Sequence, residues 1–173
     1  MDGTFAVLLA AGESSRMGSL KAMLPWRGVT LIEHQIRSLI DAGVHQVLVV
    51  LGHEANQLKS VVDSAEGARW VVNTDYLAGK TTSIKTGLKC LTLPGTKQVV
   101  LLSVDQPRRS DTVRVLLERH ISLSNTITIP TYHGKGGHPI VLSESVLSEV
   151  VNIEEETQGL LAVVRHHAKD TDR

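Results

Sequence analysis

The sequence predicts an α/β fold of three layers, with helices on both faces of a mostly parallel sheet. Three observations predict it. The runs VLVVL at 47–51 and VVLLS at 99–103 lack polar alternation, as strands buried on both faces do. Stretches with helical spacing separate these runs, and strand–helix alternation is the pattern of a layered α/β sheet. The length of 173 residues suits one compact domain over 1–173, large enough to bury a core.

The elements follow in order. Residues 5–9 (FAVLL) read as a first core strand. A helix is expected over 31–42, where Leu31, Ile32, Ile36, Leu39 and Ile40 share a face and Gly43 stops it. A strand at 46–51 precedes a helix at 55–62, with Leu58, Val61 and Val62 on one side. A short strand at 69–72, a helix at 82–91 and a strand at 98–103 come next. The helix at 111–121 turns Val113, Leu116 and Leu117 inward. Short strands are expected at 126–130 and 138–142, separated by GKGG (134–137), which reads as a flexible turn. A final helix is expected over 157–167.

Composition narrows the function classes. Hydrophobic residues make up 42% but aromatics only 3%, so the core is aliphatic. Few aromatics argue against base-stacking recognition of single-stranded nucleic acid. A formal net charge of zero gives no reason to expect a nucleic-acid or membrane partner. The single cysteine, Cys90, excludes an internal disulfide and a cysteine zinc cluster, and it reads as a small core residue. The start of the chain lacks a basic leader, and no apolar run is long enough to span a bilayer, so the cytoplasm is the expected location.

Ligands of parallel α/β sheets bind beyond the carboxyl ends of the strands. After the first strand comes LAAGESSRMGSLKAMLP (9–25). Gly12 and Gly18 allow close backbone approach and positive φ. Ser14, Ser15 and Ser19 add hydroxyls, and Arg16 and Lys21 add cations. Amides with two cations make a phosphate cradle. The loop is neither a Walker P-loop nor a GxGxxG dinucleotide fingerprint. Asp105 follows the strand at 98–103, at the same sheet edge. Its carboxylate suits Mg²⁺ shared with phosphate oxygens, and Ser110 or Asp111 is available to cap the next helix instead. The segment Gly79-Lys-Thr-Thr-Ser83 opens a helix, where free amides favour a phosphate or a ribose, or where a threonine caps it. Asn73 reads either as a ligand to base or sugar or as a turn residue.

The 9–25 loop resembles the signature of MobA-like nucleotidyltransferases, approximately LAAGxSxRMGxxKxLLP. The segment Gly79–Leu88, with Gly79, Ser83, Ile84, Gly87 and Leu88 in register, resembles that family's G-x-x-x-S-[IL]-x-x-G-[IL]. Asp105-Gln106-Pro107 and Gly137-His138-Pro139 resemble its DQP and GHP motifs. The nearest subgroup is the molybdenum-cofactor cytidylyltransferases. The resemblance implies a Rossmann-like fold and Mg²⁺-dependent transfer of a nucleotidyl group to a phosphate-bearing acceptor such as molybdopterin. It implies Arg16, Lys21 and Asp105 as catalytic, with Asp105 the metal ligand. Nucleotide binding falls to Leu9, Ala10, Ala11, Gly12, Ser14, Gly18, Lys21, Asn73 and Ser83. The acceptor side falls to Gln106, Pro107 and His138, the last as a positioning residue. Ala11, where guanylyltransferases tend to have Gly, favours CTP.

One segment departs from the family. Glu156-Thr-Gln-Gly-Leu-Leu161 stands where Gly-Asp-x-Gly-Ala-Arg is usual. Thr157 replaces the acid that serves as a second metal contact, and Leu161 replaces the Arg. Either Glu155 or Glu156 substitutes, or the acidic run is a solvated helix start. The alternative functions are a sugar-1-phosphate nucleotidylyltransferase, which shares an LAAG-type loop, and a non-catalytic nucleotide-binding module.

Overall fold

The computed structural model describes residues 1–13, 19–91 and 95–173. In chain order it contains β1 (Thr4–Ala10), β2 (Pro25–Trp26), β3 (Val29–Thr30), α1 (Leu31–Asp41), β4 (Gln46–Leu51), α2 (Ala55–Asp63) and β5 (Ala68–Val72). Then follow α3 (Lys80–Leu91), β6 (Gln98–Ser103), α4 (Ser110–Leu123), β7 (Ile127–Thr128), β8 (Thr131–Tyr132), β9 (Lys135–Gly136) and β10 (Ile140–Ser143). The chain ends with α5 (Glu144–Val151), α6 (Leu160–His166) and β11 (Thr171–Asp172).

Seven strands form one sheet in the order β11-β7-β10-β6-β1-β4-β5. β6, β1, β4 and β5 are parallel, and β11 is parallel to β7. β10 is antiparallel to both of its neighbours. Side chains alternate across a strand, so β1 feeds two cores. Ala6, Leu8 and Ala10 pack with α1, α2 and α4 on one face. Val7 and Leu9 pack with α3, α5 and α6 on the other. This is the expected three-layer α/β architecture with a mostly parallel sheet.

α1 starts at a capping box. Glu33 N–H donates to Thr30 Oγ1, and the Glu33 carboxylate accepts from Thr30 N–H. No helix among the described residues is long and apolar enough to cross a membrane.

Several expectations change. The GKGG stretch is half strand: β8 and β9 pair as a hairpin, turning at His133 (φ 49°) and Gly134 (φ 75°). Two successive positive φ values match the right-handed twist of a hairpin. Helix α5 was not anticipated, although Val146, Leu147 and Val150 carry helical spacing onto the core. The final helix starts at Leu160, because Gln158 (φ 70°) and Gly159 (φ 53°) break helical geometry after a 3-10 turn at Glu155–Thr157. Cys90 is exposed, since the buried face of α3 is Thr81, Ser83, Ile84, Gly87, Leu88 and Leu91. Gly12 does not take a positive φ.

Candidate active site

A cleft of about 350 Å³ opens at the carboxyl ends of β1 and β6, beside the N-terminus of α3. Of the residues expected to bind nucleotide, Leu9, Ala10, Ala11, Gly12, Lys21 and Ser83 line it, as do Asp105 and Gln106. Ser14, Arg16 and Gly18 lie outside the described residues. Lys21 opens a 3-10 turn, Lys21–Met23, and its Nζ lies 3.6 Å from Asp105 Oδ2. A cation and an acid from opposite ends of the sequence motifs thus meet across the cleft.

Asp105 does not cap α4. The cap position of α4 belongs to Arg109, and Asp111 accepts the Thr112 N–H at 2.7 Å. The turn that carries Asp105 is braced from α1. Gln35 is fully buried. Its Nε2 donates to the carbonyls of Ser103 (3.3 Å), Val104 (3.4 Å) and Gln106 (2.9 Å). Its Oε1 accepts the Arg108 N–H at 3.1 Å. Arg108 in turn donates from Nε to the His138 carbonyl at 2.7 Å and from its guanidinium to the Pro107 carbonyl at 2.9 Å. The two motifs that the sequence places on the acceptor side, 105–107 and 137–139, are tied together by this one arginine. Pro107 serves through its carbonyl.

Asn73 is corrected. It is buried, and its Nδ2 donates to Thr82 Oγ1 and Ser83 Oγ, both at 2.9 Å. Its Oδ1 accepts the Asp75 N–H at 3.0 Å. The amide is spent on fixing the start of α3, because a buried amide requires partners and the helix supplies them. Asn73 thus positions Ser83, with both amide hydrogens directed at α3.

A second cavity of about 500 Å³ adjoins the first. Ile84, Ile129, Ile140 and Leu160 give it an aliphatic wall, and His138 and Glu155 give it polar points. Lys80 lines both cavities. Desolvation lowers the Lys80 pKa, while Asp105 and Glu155 work the other way. Its ammonium therefore stands in the field of one carboxylate from each side. Burial, then the Lys80 charge, holds the His138 imidazole below its ordinary value, opposed by the Leu101 carbonyl. His138 Nδ1 is buried without a hydrogen-bond partner among the described residues. A neutral ring with a spare nitrogen suits substrate positioning.

The acidic run also resolves. Glu154 pairs with Lys85 at 3.0 Å. Glu155 reaches α3, where its Oε2 accepts the Thr81 N–H at 3.0 Å. An added Cβ on Gly79 would lie 2.8 Å from the Glu155 carboxyl carbon. The acid thus takes one amide in the first turn of α3, the Thr81 N–H. Glu156 is exposed.

Gln35, Arg108 and the cleft-lining Tyr76 are absent from the sequence reading, and Lys80 enters it only within the Gly79–Ser83 helix start. Gln35 carried a signal, being the polar member of an apolar stripe with Ile32, Ile36 and Leu39. Nothing in spacing marks Arg108.

A crevice at strand carboxyl ends, with Lys21 and Asp105 facing each other beside Gly12, is the kind of site the nucleotidyltransferase class requires. Residues 6–171 match the MobA-like NTP transferase domain, and the chain belongs to that family. It is 30% identical over 166 residues to the molybdenum cofactor cytidylyltransferase of Escherichia coli, covering 93% of this chain and 82% of that protein. It is 33% identical over 169 residues to the nicotine blue oxidoreductase of Paenarthrobacter nicotinovorans, covering 92% and 80%. A crystal structure of a Mycobacterium tuberculosis protein in complex with manganese superposes with a TM-score of 0.74 at 25% identity, covering 98% of this chain and 85% of that one.

Proposed function

We propose that the protein transfers CMP from CTP to a phosphate-bearing acceptor such as molybdopterin, with Mg²⁺, releasing pyrophosphate. The observation that carries this reading is the junction of the two cavities. Lys21 and Asp105 face each other in the first, and Lys80 stands on the wall shared with the second. A donor in one cavity and an acceptor in the other would meet at that wall. The likeness to the Escherichia coli cytidylyltransferase supports the choice of acceptor and base.

Asp105 fits Mg²⁺: its carboxylate is open to the cleft and adjoins room for phosphate oxygens. The mycobacterial structural neighbour was solved as a manganese complex, which supports a divalent ion in the proposed reaction. Bound at Asp105, the ion would offset charge on the triphosphate. The residues of the chain do the rest. Lys21 neutralises the leaving phosphates. The Ala11–Gly12 backbone sets the triphosphate, and the Ala11 methyl narrows the space for the base. Lys80 steadies the α-phosphate as an acceptor phosphate oxygen attacks it. The bond from the α-phosphorus to the bridging oxygen breaks, and pyrophosphate carries away the electron pair. No protein nucleophile is required.

The test is pyrophosphate release with CTP, GTP, ATP or UTP against pterin-phosphate and sugar-phosphate acceptors, with products identified by mass. The expected product is a CMP-linked pterin. Lys21→Ala and Asp105→Ala are each expected to lower turnover by roughly 10²-fold or more in folded protein. Wild-type-like release from a folded variant removes that residue from the mechanism. A sugar-nucleotide product reassigns the acceptor. Oxidoreductase activity without pyrophosphate release would overturn the transfer reading in favour of chemistry like that named for the oxidoreductase relative.

A further inference from the structure

On the face of the molecule formed by α5 and α6, Glu149 of α5 meets His166 and His167 at the end of α6. His166 Nδ1 lies 3.0 Å from Glu149 Oε1, and His167 Nε2 lies 2.7 Å from Glu149 Oε2. One ligand atom from each residue falls within 4.8 Å of the others. The convergence depends on the helix end. Consecutive side chains of an α-helix diverge by about 100°. His167 has left helical geometry (φ −93°, ψ 25°), so the two ring centroids stand 4.8 Å apart and both rings address one carboxylate. The turn is held in place: the His167 carbonyl accepts from Thr171 Oγ1 at 2.7 Å and from the Asp170 N–H at 3.0 Å.

We propose that Glu149, His166 and His167 bind a divalent transition-metal ion of the zinc type, at a site separate from the Asp105 cleft, and that the ion clamps α6 to α5. Two imidazoles with one carboxylate are a nitrogen–oxygen donor set suited to Zn²⁺, Co²⁺, Ni²⁺ or Cu²⁺. Mg²⁺ prefers oxygen ligands alone. Tetrahedral ligands at ordinary zinc distances stand about 3.4 Å from one another. The nitrogen–oxygen pairs, at 3.0 and 2.7 Å, open slightly to reach that spacing, while the widest separation in the triad, within 4.8 Å, has to close by side-chain rotation. The rival arrangement is a plain hydrogen-bonded cluster, with each ring serving one carboxylate oxygen and no metal.

The clamp has a consequence at a distance. Residues 152–159 connect α5 to α6 and carry Glu155, whose carboxylate holds the first turn of α3 at the second cavity. An ion between Glu149 and the histidines fixes the base of this connection.

The experiment is calorimetric titration of the metal-stripped full chain with Zn²⁺ in excess Mg²⁺, which keeps oxygen-ligand sites filled. Co²⁺ substitution gives a second readout through the visible absorption of four-coordinate cobalt. The expected result is one Zn²⁺ per chain at this site and a raised Tm. Affinity is expected to fall in acid, because only neutral imidazoles bind metal. Losing an outer-shell partner costs roughly 10–100-fold in metal affinity, so His166→Ala and Glu149→Gln are expected to lose at least that much. Cys90→Ser and His53→Ala should bind as wild type does. Hydrogen exchange should slow across α5 and α6 on adding Zn²⁺. Because His166 is exposed, its replacement is not expected to change the metal-free Tm. Zn²⁺ binding of wild-type strength in a His166→Ala, His167→Ala double variant overturns the proposal, as does no saturable binding in the wild type.

Discussion

At Gly12 an added Cβ would meet nothing within 4 Å among the described residues, whereas at Gly52 it would lie 2.7 Å from the Ala11 carbonyl oxygen. Gly52 is therefore demanded by packing, whereas Gly12 meets no such constraint among the described residues. The space in front of Gly12 belongs to the cleft. Gly12→Val is expected to leave stability within about 0.5 kcal/mol of wild type, as exposed substitutions do, while sharply weakening nucleotide binding. A denaturant titration and a nucleotide titration of the same variant check both halves, and unimpaired binding would show that the triphosphate lies elsewhere. Lys80 gives a complementary test. Its charge stands between Asp105 and Glu155, at the wall between cavities. Lys80→Met should lower kcat by roughly 10²-fold with little change in the KM for nucleotide, since Lys21 still holds the leaving phosphates. A change in KM alone would make Lys80 a binding residue only.

Helix α3 approaches the sheet more closely than a side chain would allow. An added Cβ at Gly87 would lie 2.6 Å from Val7 Cγ1 and 2.9 Å from Val50 Cγ2, both in the buried core. Ala in place of Gly gains about 1 kcal/mol of helix propensity, but overpacking costs about 1–3 kcal/mol. Gly87→Ala is therefore expected to destabilise the protein, and a raised Tm would contradict the close docking of α3. The turn after β6 depends likewise on α1. Gln35→Leu removes the partner of three carbonyls and one N–H. Leaving such groups unsatisfied costs about 1–3 kcal/mol, and turnover should fall as well, because Asp105 rides on that turn. Full activity in a destabilised Gln35→Leu protein would separate the brace from the chemistry. The strands at the centre of the sheet were legible because their apolar runs are unbroken. Helix α5 was not, because its eight residues follow a strand without a turn signal between them.

Across the whole molecule, acid acts first through histidine. Burial holds His34, His120 and His138 below the ordinary imidazole value of about 6.5. His120 shows the cause most simply, standing buried between Thr128 Oγ1 (2.9 Å) and Ser143 Oγ (3.2 Å). Such a group takes up its proton in the unfolded chain at higher pH than in the folded one. Its contribution is complete above about pH 6.5 and is lost as pH falls below that value. Glu33 and Asp172, both lowered by their hydrogen-bonded partners, add a second loss with the same sign near the carboxylate range. Unfolding free energy measured by denaturant is thus expected to decline between pH 7.5 and 5.5, with a shallower decline in His120→Gln. A flat profile would mean that these rings titrate normally.

The sequence by itself determined the α/β class, the parallel centre of the sheet and several residues that line the first cleft. These are local matters: an apolar run declares a buried strand, and the residues after it lie at the sheet edge wherever the strand lies. Lys21 and Asp105 could be read for that reason. Tertiary structure alone decided the contacts made across elements. It turned Asn73 inward onto α3, brought Glu155 over 74 positions to the Thr81 amide, and set Lys80 between two cavities. It also gathered Glu149, His166 and His167 at one point. A carboxylate's role depends on the amide or cation that faces it, and when that partner comes from another layer, spacing along the chain does not reveal it.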